Sequence, residues 1–173
     1  CATAPPPLPS AAAADCGPAD AAAPVLRLPP DALGRTLAVQ QQLTATAQGR
    51  TQQLDVLLEA DAEAVRLALL HHGQTASRLV WDGRDLQETR APWLPDAVSG
   101  ERILSDLQLA LWPANAVRAA LPPGWFLDSA DGLRQLRHGT TTVVAVRYPS
   151  ASRIEIDQRR DGYRLVVDTP EAP

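Results

Sequence analysis

The chain has 173 residues, 45% of them hydrophobic, and a formal net charge of −4 at pH 7. This length allows one domain with a substantial core and is short for two. The charge argues against a nucleic-acid-binding protein, which would present a basic face. The sequence has no apolar run of about 18 residues, so we predict no transmembrane helix.

The first residue is Cys1, and the sequence contains no Met. A mature N-terminal cysteine is what signal peptidase leaves in a bacterial lipoprotein, where several acyl chains give stable membrane anchoring. We therefore predict lipidation of Cys1. By analogy with the sorting rule of such lipoproteins, Ala2 favours the periplasmic face of the outer membrane. A chance cysteine is the alternative, and so is a Cys1–Cys16 disulfide, which acylation of Cys1 would exclude.

Residues 1–32 are rich in Ala and Pro, as in Ala4-Pro5-Pro6-Pro7 and Pro29-Pro30. A segment of this composition buries little apolar surface and stays extended. We predict that residues 1–32 are a flexible tether and that residues 33–173 form the folded domain.

From about Arg35 the hydrophobic pattern has period two, which predicts strands with one buried face. Asp82-Gly83 lies between apolar runs and is a strong hairpin signal. We predict a meander of four or five short antiparallel strands as far as Arg90. The inward positions of this meander are Leu37, Val39, Gln41, Leu43, Leu54, Val56, Leu58, Val65, Leu67, Leu69, Leu79 and Trp81.

The middle of the chain predicts two helices. Pro92-Trp93-Leu94-Pro95 is a loop, and Ser99 is a suitable N-cap for a first helix. The residues of this helix with helical spacing are Ile103, Leu104, Leu107 and Leu111. Trp112-Pro113 ends it, and a second helix is predicted over 113–121.

Strand patterns resume over 125–128, 133–137, 141–148 and 153–159, and a last strand follows the Asp161-Gly162 turn. Ile154, Ile156, Leu165 and Val167 point inward, and Glu155 and Asp157 point outward. We therefore predict a mainly β domain of about 10–11 antiparallel strands with one helical interruption.

The helical interruption carries a family resemblance. Asp106-Leu107-Gln108-Leu109-Ala110-Leu111-Trp112-Pro113, then Val117 and Leu121-Pro122, resembles the lid of LolB, the outer-membrane receptor that inserts lipoproteins delivered by LolA. His72-Gly73-Gln74-Thr75 and Val146-Arg147-Tyr148 resemble other LolB stretches. The closer match is a family of LolB-like lipoproteins whose genes accompany aryl-polyene pigment pathways of the xanthomonadin and flexirubin type. The resemblance covers about residues 33–169.

This resemblance implies a LolA/LolB-like fold, an incomplete β-barrel with a two-helix lid. It also implies a cavity for acyl or aryl-polyene chains, which apolar burial would stabilise at about 25 cal/mol per Å². The expected cavity residues are Val56, Leu58, Leu67, Leu69, Leu79, Trp81, Val144, Val146, Ile154, Ile156 and Leu165. The expected lid residues are Leu104, Leu107, Leu111, Trp112 and Val117. A filled core is the alternative interpretation of the same pattern.

One position departs from LolB. LolB has an exposed Leu, thought to enter the membrane, directly before the Gly of its protruding loop, and this chain has His72 before Gly73. An imidazole is a poor membrane wedge, so LolB-like lipoprotein insertion is in doubt. The pair Trp93-Leu94 could replace that Leu, although we favour a loop anchored by a buried Trp93. Trp112 either packs the lid on the sheet, which we favour, or lines the cavity mouth.

Catalysis has little support in the sequence. His71 and His72 would point to opposite faces of a strand and could not bind one metal together unless the loop turns them. No Gly-x-Ser-x-Gly elbow or phosphate loop is present. We expect no enzyme activity, no cofactor and no metal. We expect a monomeric carrier that binds lipid or lipoprotein acyl chains, receives them from a LolA-like partner and contacts the outer membrane through its anchor. The alternative is an adaptor that holds a pigment-pathway or periplasmic partner at that membrane.

Overall fold

A computed structural model describes residues 23–96 and 98–170. Cys1, Cys16 and most of the predicted tether lie outside this range. The described part of the chain folds as one 10-stranded antiparallel sheet with two α-helices. The predicted fold class, an incomplete antiparallel barrel with a two-helix lid, is confirmed.

The elements follow the order that the sequence predicts. A 3-10 turn at Pro30–Leu33 precedes the first strand. The strands are β1 (Leu37–Ala47), β2 (Arg50–Ala60), β3 (Val65–His71), β4 (Gln74–Trp81), β5 (Leu86–Arg90), β6 (Trp125–Ala130), β7 (Leu133–His138), β8 (Thr141–Ser150), β9 (Arg153–Gln158) and β10 (Tyr163–Asp168). The helices are α1 (Gly100–Leu111) and α2 (Ala114–Ala120).

The strand order is β5-β4-β3-β2-β1-β10-β9-β8-β7-β6, so the first and last strands of the chain's sheet pair at its centre. Leu43 of β1 faces Leu54 of β2 on one side and Val167 of β10 on the other. Within the described residues, β5 and β6 are the two edges, and the sheet does not close. A curved sheet left open in this way has a concave apolar face that another element must cover.

Helix α1 covers that face. Its start is capped as predicted, because the Ser99 hydroxyl accepts a hydrogen bond from the Arg102 backbone N–H at 3.2 Å. Its end is capped by Arg134 of β7, which donates to the carbonyls of Leu109 and Trp112 at 2.8 and 2.7 Å. No described helix has the length and apolar character needed to cross a membrane.

Glycine at position 100 allows α1 to approach β4 closely. A Cβ there would lie 2.6 Å from Leu79 Cδ1, inside van der Waals contact. Since Leu79 is itself buried, it has little room to move aside. Gly100 therefore fixes where the helix crosses the sheet.

The chain that leads into the domain also packs on α1. Ala23, Leu26 and Leu28 are buried, whereas Val25 and Arg27 between them are exposed. The Leu26 N–H donates to Ser105 Oγ at 2.7 Å. The Leu28 N–H donates to Gln108 Oε1 at 3.1 Å, and Trp81 Nε1 donates to the Leu28 carbonyl at 2.7 Å. We call residues 23–30 the strap. The structure thus differs from the prediction of a tether as far as residue 32, because the packed chain begins by Ala23.

Candidate functional site

An open cleft of about 680 Å³ lies between the first half of α1 and one end of the sheet. Its floor comes from the ends of β1, β2 and β10, and its roof from α1 and the loop before it. The residues that line it are Ala45, Ala47, Gln48, Arg50, Thr51, Gln52, Leu54, Pro95, Val98, Ser99, Arg102, Ile103, Asp106, Tyr163 and Leu165. Its volume falls within the range of about 300–1,000 Å³ that is typical of small-molecule sites.

The cleft exists because the inward side chains of β1 become smaller toward the end of the strand. Leu43 fills the inner face under the helix, but the next two inward positions are Ala45 and Ala47. Across from Ala45 lie Gln52 and Leu165, and across from Ala47 lie Arg50 and Tyr163. Two alanines in succession leave volume that their neighbours do not fill, and polar residues follow at the rim.

The roof is one face of a helix. Ser99, Arg102, Ile103 and Asp106 follow i, i+3, i+4 and i+7 spacing, so all four point into the same space. Ile103 supplies apolar surface opposite Leu54 and Leu165 on the floor. Arg102 and Asp106 place one positive and one acidic group in the same wall.

Asp106 is the least expected residue of the cleft, because its side chain is only 2% exposed. Its Oδ1 accepts a hydrogen bond from Gln158 Nε2 at 2.6 Å, and its Oδ2 accepts one from the Tyr163 hydroxyl at 2.7 Å. Burial raises the pKa of Asp106 to about 6, although both hydrogen bonds and the charge of Arg102 oppose that rise. The carboxyl thus lies at the cleft with neutral donors as its direct partners.

Arg102 and Tyr163 lie near the Asp106 carboxyl, and their own contacts hold them in place. Arg102 donates to the Ala23 carbonyl at 3.0 Å, and its guanidinium lies 3.6 Å from Asp161 Oδ2. Burial and the neighbouring Asp106 raise the pKa of the Tyr163 hydroxyl above its ordinary value, so this hydroxyl keeps its proton and remains a donor.

The predicted cavity residues come together, but as a packed core. All belong to one cluster under α1, and most have almost no exposed surface. Of these residues, only Leu165 lines the cleft; the others are Val56, Leu58, Leu67, Leu69, Leu79, Trp81, Val144, Val146, Ile154 and Ile156. The same period-two pattern therefore describes a filled half of the sheet and an open half.

The predicted lid residues pack down on that filled half. Leu104, Leu107, Trp112 and Val117 are buried and Leu111 is partly buried. Trp112 has no exposed surface, and its Nε1 donates a hydrogen bond to the Pro29 carbonyl at 3.4 Å. This confirms the packing interpretation of Trp112. Tyr148 also contacts the lid, because its hydroxyl donates to the Ala110 carbonyl at 2.6 Å.

The loop predictions need one correction. Trp93 is 47% exposed and Leu94 is buried, so Leu94, and not Trp93, anchors the loop before α1. His72 and Gly73 form the tip of the β3–β4 hairpin, both with positive φ, at 49° and 76°. The Trp93 ring lies 6.1 Å from that of His71, between centroids. Pro95 of the same loop lines the cleft, so the loop that carries the exposed Trp93 also contributes to the cleft.

The histidines do not point apart as a strand would direct them. The turn brings the rings of His71 and His72 to 4.1 Å between centroids, and His71 Nδ1 donates to the Gln53 carbonyl at 3.2 Å. Within residues 23–96 and 98–170, no three His, Cys, Asp or Glu side chains converge into a possible metal site.

The sequence analysis missed three polar residues of α1 that the structure shows to be buried. Ser105 and Gln108 bind the strap, and Asp106 binds β9 and β10. A usable signal was present, since residues 103–111 are apolar on nearly every side of the helix. A helix of that kind is buried all round, and its few polar side chains then need partners inside the protein.

Comparison with known proteins gives a family. A family profile described as a protein of unknown function, DUF3261, matches residues 38–171. The chain belongs to the DUF3261 family. No curated protein matches the sequence of this DUF3261 member. A crystal structure of a DUF1329 family protein from Desulfovibrio piger is 10% identical, with 78% of this chain and 83% of that one covered. Its TM-score is 0.31, and a similarity of that size carries no argument.

Proposed function

We propose that this DUF3261 protein is a lipid-binding carrier that accepts one acyl-type chain in the cleft and passes it to a membrane. The observation that carries the proposal is the cleft itself, about 680 Å³ that the core does not fill, with Leu54, Ile103 and Leu165 as apolar surface of its floor and roof. Apolar burial needs no directional partner, so such a site accepts and releases chains without covalent chemistry.

The proposal extends to location and cargo. The cargo is an aryl-polyene lipid or, second, the acyl chains of a lipoprotein, received from a LolA-like periplasmic carrier. The protein acts at the periplasmic face of the outer membrane, anchored by acyl chains on Cys1. The sequence pattern and the LolB resemblance support these finer points. Replacing Cys1 by Ala, with a cleavable signal for export, should release the protein from the membrane fraction into the periplasm.

Trp93 supports an orientation with the cleft mouth toward the bilayer. It is exposed on the loop that also contributes Pro95 to the cleft, and Trp side chains are favoured at the membrane interface because the indole ring is apolar and carries a polar N–H. We expect Trp93→Ser to reduce sedimentation of the unlipidated protein with phospholipid vesicles. Phe126, which is equally exposed on edge strand β6, gives the matched control Phe126→Ser, and an equal loss there would contradict the orientation.

The decisive experiment is binding of a fluorescent fatty acid to the purified chain. Ala45→Trp puts a bulky side chain on the floor of the cleft and should abolish binding, because it occupies the volume that the probe needs. Gln42→Trp lies on the same strand but on its exposed outer face, and should leave binding unchanged. Failure of the wild-type chain to bind the probe would refute the carrier proposal.

An adaptor is the second candidate, and the filled core favours it. Most predicted cavity residues are packed under α1 and leave no room for cargo there. An adaptor would bind no lipid but would retain a partner protein at the membrane. Absence of probe binding, together with loss of a membrane-bound partner in the Cys1→Ala strain, would select it over the carrier.

A further inference from the structure

The cleft contains a carboxyl group, Asp106, which the binding of an apolar chain does not require. Asp106 belongs to the lining and is almost fully buried. A charge taken out of water is costly unless a cation or several donors compensate it. Its hydrogen-bond partners, Gln158 and Tyr163, are both neutral. The charge of Arg102 acts on Asp106 from nearby, but its direct contacts are with Ala23 and Asp161, so Asp106 has no cation as a direct partner among the described residues.

We propose that the cleft selects its ligand at the polar end, by binding an amphiphile whose head donates hydrogen bonds to Asp106. Ammonium heads fit best, and amide N–H or hydroxyl heads fit less strongly. The inference rests on the carrier proposal and adds to it the class of head group. It also gives the ligand a direction, with the polar end at Asp106 and the chain along Leu54, Ile103 and Leu165.

The neighbouring groups favour a donor over an acceptor. Asp106 uses one lone pair of each oxygen in the two described bonds and has one on each still available. The Tyr163 hydroxyl already donates its hydrogen bond to Asp106, and Arg102 already contacts Ala23 and Asp161. Arg50 and Arg102 both line the cleft, so the preference for an ammonium head depends on direct contact with the Asp106 carboxylate and not on an excess of negative charge in the cleft.

A second observation points the same way. Gln158, which is 1% exposed, has its Oε1 buried without a hydrogen-bond partner among the described atoms. Its Nε2 is bonded to Asp106, so this free acceptor belongs to the same cluster. Buried acceptors in native proteins almost always have partners. Gln158 does not itself line the cleft, but its unpaired oxygen leaves the cluster around Asp106 short of a donor, which favours a ligand that brings donors.

The test compares three amphiphiles with the same chain, dodecylamine, dodecanol and dodecanoic acid, by displacement of a fluorescent probe from the full-length chain. At about pH 8, above the pKa of Asp106, the amine should bind about tenfold or more tightly than the acid, with the alcohol between them. In Asp106→Asn the amine should lose that advantage. The Asn oxygen accepts from Tyr163, and the Asn amide donates to Gln158 Oε1 once the Gln158 amide turns over, so the variant keeps two hydrogen bonds at this position.

Two further variants exclude simpler explanations. Asp157→Asn removes a carboxylate on the same strand as Gln158 that does not line the cleft, and it should leave the order of the three ligands unchanged. A loss equal to that of Asp106→Asn would show a general charge effect and overturn the inference. Tyr163→Phe removes a competing donor and should preserve or increase the preference for the amine. Equal binding of all three amphiphiles by the wild-type chain would overturn the inference and leave the carrier proposal standing. Binding of none would overturn both.

Discussion

The two halves of the concave face differ although one helix crosses both. Opposite Leu104, Leu107 and Trp112, large aliphatic side chains of the sheet fill the space. Opposite Ser99, Arg102 and Ile103, Ala45 and Ala47 lie on the floor, and a cleft remains. The alternation of inward and outward residues is the same in both halves.

The difference shows that period-two alternation determines which residues face inward but not whether the space they face is occupied. Occupancy depends on side-chain volume and on how far the helix stands from the sheet. Gly100 sets that separation near β4, and the Asp106 hydrogen bonds set it near β9 and β10. The filled half should therefore govern stability, and the open half should govern ligand binding.

Removing the largest buried side chain of the filled half should have the largest effect. Trp112→Ala deletes a fully buried ring and should lower the free energy of unfolding by about 3–5 kcal/mol. Urea unfolding measures it. The matched control is Trp93→Ala, the same change at an exposed position, which should shift stability by about 0.5 kcal/mol or less. Comparable losses at both positions would contradict the assignment of the core to the filled half.

The next largest effect is a pH dependence of stability that comes from Asp106 in the open half. The native pKa of Asp106, about 6, lies above its ordinary value of 3.8, so the native state binds this proton more tightly than the unfolded chain. The stabilisation is full below the ordinary pKa and is lost as pH rises through 6. From about pH 4 to pH 8 the contribution should fall by about 2 kcal/mol.

Asp106→Asn isolates this contribution. The difference in unfolding free energy between the wild type and the variant should change with pH in that window and be constant above it. The carboxyls of Asp61, Asp82 and Asp128 have lowered pKa values through hydrogen bonds, and they act in the opposite sense, below that window. A difference that does not vary with pH would show that Asp106 titrates normally.

The substitution Ala→Leu, made at one alanine in each half, compares the two halves directly. Ala76 is fully buried in the filled half, and Ala76→Leu should cost about 1–3 kcal/mol through overpacking. Ala45→Leu places the same atoms in the cleft and should cost less than that or stabilise. Thermal unfolding of both variants measures the contrast. Equal destabilisation at Ala45 would mean that the cleft closes in solution.

The fold could be predicted from the sequence to a large extent because its determinants are local. Alternation along β1, β2, β3, β9 and β10, the Asp-Gly turns and the Ser99 cap each depend on residues close together in the chain. The open sheet and the lid came from the family resemblance. Helix α2 differs from the prediction only at its ends, because Pro113 is the residue before its first turn.

The site could not be predicted because it depends on contacts between distant segments. Asp106 meets Gln158 and Tyr163, more than 50 residues away, and no local pattern marks these partners. The strap had a local signal, since Leu26 and Leu28 alternate with Val25 and Arg27, but the surrounding prolines indicated a tether. Whether inward residues form a core or a cavity depends on the sum of volumes across the whole sheet.

The smallest effect concerns the ion pair above the filled half. Arg27 of the strap pairs with Glu101 of α1 and stacks over the Trp81 ring, but its side chain is 47% exposed. Water and salt screen such pairs, so Arg27→Ala should cost less than about 1 kcal/mol, and the cost should shrink further in high salt. Ser105→Ala is the contrasting variant, because it leaves the buried Leu26 N–H without its acceptor and should cost about 1–3 kcal/mol at any salt concentration. Urea unfolding at low and high salt separates the two. If Arg27→Ala lowered the free energy of unfolding more than Ser105→Ala, the exposed ion pair would hold the strap more strongly than the buried hydrogen bond. Burial of the strap would then not explain the stability of the filled half.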